Sequence, residues 1–397
     1  MEGIFLRPEH AAVVEAAEAV VNRLLPRHDE YLRVIFEEQR FPDDIWDAIA
    51  QAGLLAAAIP EQYGGSGMGL TAAALTTEVF SRYALGNALV GLTTMDAMAI
   101  LRSGTEAQKR RWLPAIAQGQ LKLAFAVTES DAGTNTFRMR TKADRVAGGY
   151  RLNGQKAWIT GADVADGFLV AARTMPYDQV VAEGLPRHYG LSLFLVDRTA
   201  PGVRYQAMET LGIEGFRQFL LYFDDVQLPE DRRVGPEHEG AAGLFAALNP
   251  ERIIVAATSV GMTRYCLDKA VAYATERRVF GNTPTGAYQG VQHPLARVRV
   301  LQEAAWMLTL RAAAAFDQGY HPRMVGMWAN MAKYLASETV FEAIDRAIQT
   351  LGGSGFVKDY NLIQLLTPMR LWKTAPINNE MVLNFIAESA LGLPRSY

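Results

Sequence analysis

A carboxylate stands at the head of an oily run in "NPERIIVAA", Asn249 to Ala257. Two kinds of chemistry suit a glutamate there. One is helix electrostatics: Asn249 caps a helix, Pro250 takes its first position, and Glu251 lies where the positive dipole end favours an anion. The other is proton removal. A carboxylate is a weak base in water, so a site that uses Glu251 this way should desolvate it and raise its pKa.

Two further stretches have ligand-binding chemistry. In "FAVTESDAGTN", Phe125 to Asn135, an apolar strand runs into Thr128, Glu129 and a small-residue loop. Such a loop lets backbone groups approach a flat ligand closely; the plain alternative is an ordinary strand exit. In "KAWIT", Lys156 to Thr160, Trp158 and Thr160 are two residues apart, on one face of a strand. They would form an aromatic wall with a hydroxyl beside it, unless Trp158 is core. "YGGSGMG" and "LGGSGF" fit neither a Walker loop nor a dinucleotide fingerprint, and each read alone is a turn. Six scattered histidines and a single cysteine, Cys266, give no metal-ligand spacing and no internal disulfide, so no metal is expected.

These residues are set in three zones. Residues 1–120 repeat apolar positions at helical spacing, as in "AAVVEAAEAVVNRLL" and "DDIWDAIAQAGLLAAAI". Residues 121–235 are short, β-rich segments parted by turn residues, with Gly148-Gly149 and Asn153-Gly154 as tight turns. Strands without intervening helices predict an antiparallel sheet or barrel. Residues 236–397 return to long helices, the first ending near Arg277 and Arg278. The 397 residues are half apolar with a formal charge of -3, which argues against a disordered chain and a dominant nucleic-acid surface. No apolar run spans a bilayer and "MEGIFLRPEH" lacks a signal-peptide core, so a cytoplasmic protein is expected.

Taken together, the motifs resemble the acyl-CoA dehydrogenases, a flavoenzyme family, over nearly the full length. "IPEQYGGSGMG" and "GTEAQKRRWLPAIAQG" resemble the N-terminal signatures, "FAVTESDAGTN" and "KAWIT" the flavin-binding β segments, and "ERRVFG" and "QTLGGSGFVKDY" the C-terminal ones. The resemblance implies an α+β fold: a helical domain, a β-barrel-like domain and a four-helix bundle. It implies FAD as cofactor and α,β-dehydrogenation of an acyl-CoA to the enoyl-CoA. An electron-transfer flavoprotein is then the acceptor, and the assembly a homotetramer. Phe125, Val127, Thr128, Trp158 and Thr160 would line the flavin ring, and Gly133 and Thr134 would lie near flavin and CoA. Arg277 would contact the pyrophosphate with Phe280 and Gln289 nearby, and Gln349, Gly352 and Gly353 would approach the adenine. In the family these C-terminal elements often reach the FAD of a neighbouring subunit. Asn378 joins the cofactor set, and Thr134, Asn249 and Arg252 the substrate set.

Two departures sharpen this picture. The loop reads Gly-Thr-Asn where the family usually has an aspartate, so Asn135 loses a charge and keeps the shape. The late glutamate that serves most members as base aligns with Pro376 in "RLWKTAPINNE", and Glu380 matches a different position. A minority of the family carries the base on an earlier helix, in segments like "NPERIIVAA", which turns the balance toward Glu251 as base. Pro376 also lacks the N–H that the family uses, with a flavin ribityl hydroxyl, to bind the thioester oxygen. Either the Ile377 N–H replaces it after a small backbone shift, or the flavin hydroxyl acts alone, or the chemistry is altered. The competing expectations are an oxygen-using oxidase or monooxygenase relative, and a non-catalytic flavin or acyl-CoA binding protein.

Overall fold

The computed structural model describes residues 4–395. The start of the N-terminal segment and the last two residues of the "LGLPRSY" tail lie outside the described residues. Six helices come first: α1 (His10–Leu24), α2 (His28–Phe36), α3 (Asp43–Gln51), α4 (Gly69–Ser81), α5 (Ala88–Ser103) and α6 (Glu106–Ala117). Local rules set several of their starts. The Asn87 side chain caps α5, and Thr105 and Gln108 form a reciprocal capping box on α6. The "YGGSGMG" stretch is a turn, with Gly64, Gly67 and Gly69 at positive φ.

The central strands are β1 (Leu123–Ala126), β2 (Lys142–Val146), β3 (Gly149–Thr160), β4 (Gly167–Arg173), β5 (Leu191–Asp197), β6 (Val203–Ala207), β7 (Gln218–Pro229) and β8 (Arg233–Val234). They form one sheet in the order β6-β7-β3-β2-β4-β5-β8, with β1 beside β4. Most pairs are antiparallel, but β1 and β2 each run parallel to β4. A short helix, α7 (Tyr177–Ala182), interrupts the strands inside "MPYDQVVAEGLPRHYG", Met175 to Gly190, whose mixed composition carries no strong pattern. Tyr150, Phe168, Phe194 and Phe219 fill the core of the sheet.

One of the two turn expectations needs correction. Gly148 does turn between β2 and β3, at φ +80, but Asn153-Gly154 lies inside β3 as a bulge. A Cβ at Gly154 would come within 2.6 Å of Thr141 Cα, so glycine there admits close strand approach rather than a reversal. A second irregularity falls between Lys156 and Ile159, and Trp158 sits at φ +61. Simple alternation therefore does not place Trp158 and Thr160.

The C-terminal part contains α8 (Ala241–Glu276), a small hairpin of β9 (Arg278–Val279) and β10 (Thr283–Pro284), α9 (Gln289–Asp317), α10 (Pro322–Leu351), α11 (Ile363–Leu371) and α12 (Asn379–Ala390). The expected start of α8 at Asn249-Pro250 is overturned. The upstream "AAGLFAAL" is itself strongly helix-forming, so the helix begins at Ala241 and carries Pro250 in its interior. Asn249 is not a cap, and Glu251 is nowhere near the helix N-terminus.

The N-terminal helices pack onto α8 through close glycine contacts. A Cβ at Gly261 would meet the Glu78 carbonyl oxygen of α4 at 2.4 Å. Helix α5 runs antiparallel along α8, with Gly91 against Ile254 at one end and Gly243 against Ser103 at the other. Buried Glu78 pairs with Arg82 at 2.7 Å and Arg264 at 3.2 Å, tying α4 to α8. No helix among the described residues is long and apolar enough to cross a membrane.

Candidate active site

A cavity of about 2030 Å³ opens where the three parts meet. Pockets for single small ligands run to about 1,000 Å³, so this one has room for two large groups.

The β-domain supplies one wall. Phe125, Val127, Thr128, Trp158 and Thr160 all line the cavity. The Ala157 N–H donates to the Thr128 carbonyl at 2.9 Å, which joins the two stretches. Trp158 is 54% exposed, so it is not core; its ring faces open space that a flat group can cover. The Thr160 hydroxyl accepts from Gln218 Nε2 at 2.9 Å. The support beneath this wall went unread in the sequence. Lys156, wholly buried, donates to the Val127 carbonyl at 2.8 Å and to Glu129 Oε1 at 2.9 Å. Glu129 also accepts from the N–H groups of Arg140 and Thr141, at 2.6 and 2.9 Å. Burial pushes the Glu129 carboxyl up, but Lys156 and these donors outweigh it and hold it below the usual range. The lysine thus fixes the strand end that faces the cavity. A paired Lys and Glu flanking a strand exit was the available signal.

The loop that follows closes the rim. Gly133 and Thr134 line the cavity, and a Cβ at Gly133 would meet nothing within 4 Å, which leaves a ligand free approach to the backbone. Asn378 Nδ2 donates to Thr134 Oγ1 at 3.5 Å, a bridge from the C-terminal part across the cavity mouth.

Helix α8 supplies the facing wall with Asn249, Glu251 and Arg252. Arg252 Nη1 donates to Asn249 Oδ1 at 3.1 Å, one helical turn away. Asn249 Nδ2 donates to the Pro322 carbonyl at 3.4 Å. Burial pushes the Glu251 carboxyl up to about 7, against the pull of Arg252 and Lys333. The helix dipole therefore does not favour an anion at Glu251, because the helix end is remote. The other carboxylates lining the cavity are engaged. Glu129 is paired as described, Asp317 accepts from the Leu70 and Thr71 N–H groups, and Glu388 pairs with Arg395. Glu251 has no hydrogen bond or ion pair among the described residues. From the late segment Pro376, Ile377 and Asn378 reach the cavity, whereas Glu380 is exposed outside it.

Asp96 was not anticipated. It lies on α5 between Gly91 and Ser103, level with residues 249–251 of α8, and is 0% exposed. Neither of its carboxyl oxygens has a partner among the described residues. Burial, with Glu251 adding to it, holds this carboxyl well above its ordinary value. A lone acid inside the apolar run "TTMDAMAIL" is the same signal that drew attention to Glu251.

Six expected cofactor residues lie away from this cavity. Arg277 ends α8, its N–H donating to the Tyr273 carbonyl at 2.9 Å. Phe280 is 88% exposed at φ +41, and Gln289 begins α9. Gln349 is in the last turn of α10, followed by Gly352 at φ +59 and Gly353. The Tyr273 hydroxyl lies 3.3 Å from Ser354 Oγ, so the α8 and α10 ends gather at one exposed end of the bundle.

The exposed Trp158, the open backbone at Gly133 and the cavity volume fit a flavin beside an acyl thioester. Comparison with known proteins agrees. Residues 7–120, 124–226 and 238–391 match the N-terminal, middle and C-terminal domains of acyl-CoA dehydrogenases. An acyl-CoA dehydrogenase of Mycobacterium tuberculosis is 41% identical over 373 residues, 93% of each chain. A solved glutaryl-coenzyme A dehydrogenase in complex with glutaryl-CoA aligns with 100% of this chain and 98% of its own, at TM-score 0.89 and 30% identity. A glutaryl-CoA dehydrogenase of Mycobacterium smegmatis in complex with FADH2 aligns at TM-score 0.86 and 25% identity, over 99% of this chain and 97% of its own. The chain belongs to the acyl-CoA dehydrogenase family, and it is an FAD-dependent oxidoreductase that dehydrogenates acyl-CoA thioesters.

Proposed function

We propose that Glu251 is the base that removes the proton alpha to the thioester carbonyl. The observation that carries this is its isolation: it is the cavity-lining carboxylate left without a hydrogen-bond or ionic partner among the described residues. An unpaired carboxylate raised to about 7 is stronger than an ordinary one and still ionised in a large fraction at neutral pH. The α C–H bond breaks, its proton passes to Glu251, and its electron pair forms the Cα–Cβ double bond. Bound FAD supplies the acceptor for the hydride that leaves Cβ. Arg252, held by Asn249, keeps a fixed cation beside the base and balances the charge that the substrate brings in.

On the same reading, Phe125, Val127, Thr128, Trp158 and Thr160 line the flavin ring. Gly133, Thr134 and Asn378 close its rim. Arg277, Phe280, Gln289, Gln349, Gly352 and Gly353 act on the FAD of a neighbouring copy in a homotetramer. The division into units at 120/121 and 235/236, an electron-transfer flavoprotein as acceptor and a cytoplasmic place in fatty-acid metabolism complete the proposal.

The test is anaerobic mixing of the FAD-loaded protein with a panel of acyl-CoA thioesters, following flavin absorbance. Glu251→Gln should keep its flavin and lose bleaching by a factor of roughly 10²–10⁴. In the wild type, the reduction rate at limiting substrate should rise with pH through about 7, as Glu251 ionises. Bleaching of Glu251→Gln at a rate near wild type would exclude Glu251 as the base.

A further inference from the structure

Removing the α proton builds negative charge on the thioester oxygen, which requires a hydrogen-bond donor. Proline at 376 has no N–H to give. The segment around it is held from below by a buried lysine on α10. Lys333 is 0% exposed, and its Nζ donates to the Ile377 carbonyl at 2.6 Å and to Asn379 Oδ1 at 2.7 Å. Asn379 Nδ2 donates in turn to Glu338 Oε1 at 2.7 Å and Ser337 Oγ at 3.1 Å. Lys373 pairs with Glu338 Oε2 at 2.6 Å, and the Asn379 N–H donates to the Lys373 carbonyl at 3.0 Å. The turn from Lys373 to Asn379 is thereby closed and fastened to α10.

This network fixes the orientation of one peptide plane. The Ile377–Asn378 bond is trans, so the Asn378 N–H points opposite the Ile377 carbonyl. That carbonyl is turned toward buried Lys333, while Ile377 and Asn378 both line the cavity that Glu251 faces. The Asn378 N–H has no acceptor among the described residues. Asn378 is also the N-cap of α12, whose dipole adds positive potential at this point.

The geometry points to the Asn378 backbone N–H as the donor that binds the thioester oxygen, with Lys333 as the residue that positions it by holding the Ile377 carbonyl. This rests on the Glu251 dehydrogenation described above and adds the other half of the enolising site. It differs from the sequence-based choice between the Ile377 N–H and a flavin hydroxyl acting alone. The reason is the lysine, which selects which peptide faces the substrate.

Asn378 has φ -68 and ψ 152, values that a proline ring accepts, so Asn378→Pro deletes the N–H within the same backbone shape. Asn378→Ala is its reference: it loses the same side chain and keeps the N–H. Both FAD-loaded variants would be mixed anaerobically with the acyl-CoA that the wild type oxidises. Each would also be bound to the corresponding enoyl-CoA carrying ¹³C at the carbonyl, and the C=O stretch read by difference infrared spectroscopy. The expected result is a carbonyl stretch shifted down in Asn378→Ala and returned toward its solution position in Asn378→Pro. Flavin reduction should be about 100-fold slower in Asn378→Pro than in Asn378→Ala. Lys333→Met should retain FAD and lose part of the same carbonyl shift. Matching carbonyl positions and matching reduction rates in the two Asn378 variants would overturn the assignment. Failure of the dehydrogenation reading has a separate signature, a wild-type flavin that no acyl-CoA bleaches.

Discussion

Glu251 and Asp96 are two acids in apolar helical runs, and their surroundings give them different tasks. Glu251 faces the cavity and can exchange its proton with substrate. Asp96 faces only protein, and no partner offsets its burial. Its raised pKa has a consequence for stability. In the unfolded chain Asp96 ionises near the ordinary carboxylate value, while in the fold it keeps its proton to much higher pH. Above the unfolded pKa the native state therefore binds more protons, and stability falls as pH rises toward the folded pKa. Asp96→Asn removes this term. Its thermal midpoint relative to wild type should climb from pH 5 to pH 8, by up to about 1.4 kcal/mol of stability per pH unit. A constant offset across that range would show that Asp96 is ionised in the native protein.

At the scale of elements, the site depends on two buried lysines that the sequence analysis did not single out. Lys156 fixes the end of the cavity-facing strand through the Val127 carbonyl, and Lys333 fixes the late turn through that of Ile377. Each ammonium replaces water lost by a backbone carbonyl that a strand or helix leaves unpaired. Lys156→Met should cost about 3–5 kcal/mol, because Glu129 is left buried without its cation. It should also lower flavin retention, read as the ratio of visible to protein absorbance. The double change Lys156→Met with Glu129→Leu should recover part of the stability and little of the flavin. Full flavin content in Lys156→Met would show that the tether is unnecessary. Helix α8 teaches a related point. Cap and first-turn rules are local, and "NPER" satisfies them, yet the alanine-rich stretch before it extends the helix through the proline. The apolar character of the run was legible; its starting point was not.

At the scale of the molecule, some of the expected cofactor residues line the cavity and others face outward. The end of the bundle that contains Arg277, Phe280 and Gly353 is exposed, with Phe280 almost bare. Under the proposed tetramer this end completes the site of a neighbouring copy. Arg277→Ala should then retain less FAD although Arg277 lies outside its own cavity, and light scattering should give a mass of four chains. A single-chain mass with undiminished flavin in Arg277→Ala would exclude contribution between subunits.

The sequence by itself determined the family, the order of helical, β and helical parts, and a minority of the residues on the cavity wall. Motifs such as "FAVTESDAGTN" and "KAWIT" carry backbone shape and side-chain type together, so they survive as local text. It also raised Glu251 as the candidate base once proline was found at the usual position, since both follow from residue identity. Only the tertiary structure decided the environment of each group. It showed that Glu251 lies inside a helix and is raised by burial, that Asp96 stands beside it, and that Trp158 turns outward at a bulge. It also showed that buried Lys333 holds the Ile377 carbonyl. Desolvation and the aim of an N–H depend on atoms contributed from distant parts of the chain, and no window of sequence contains them all.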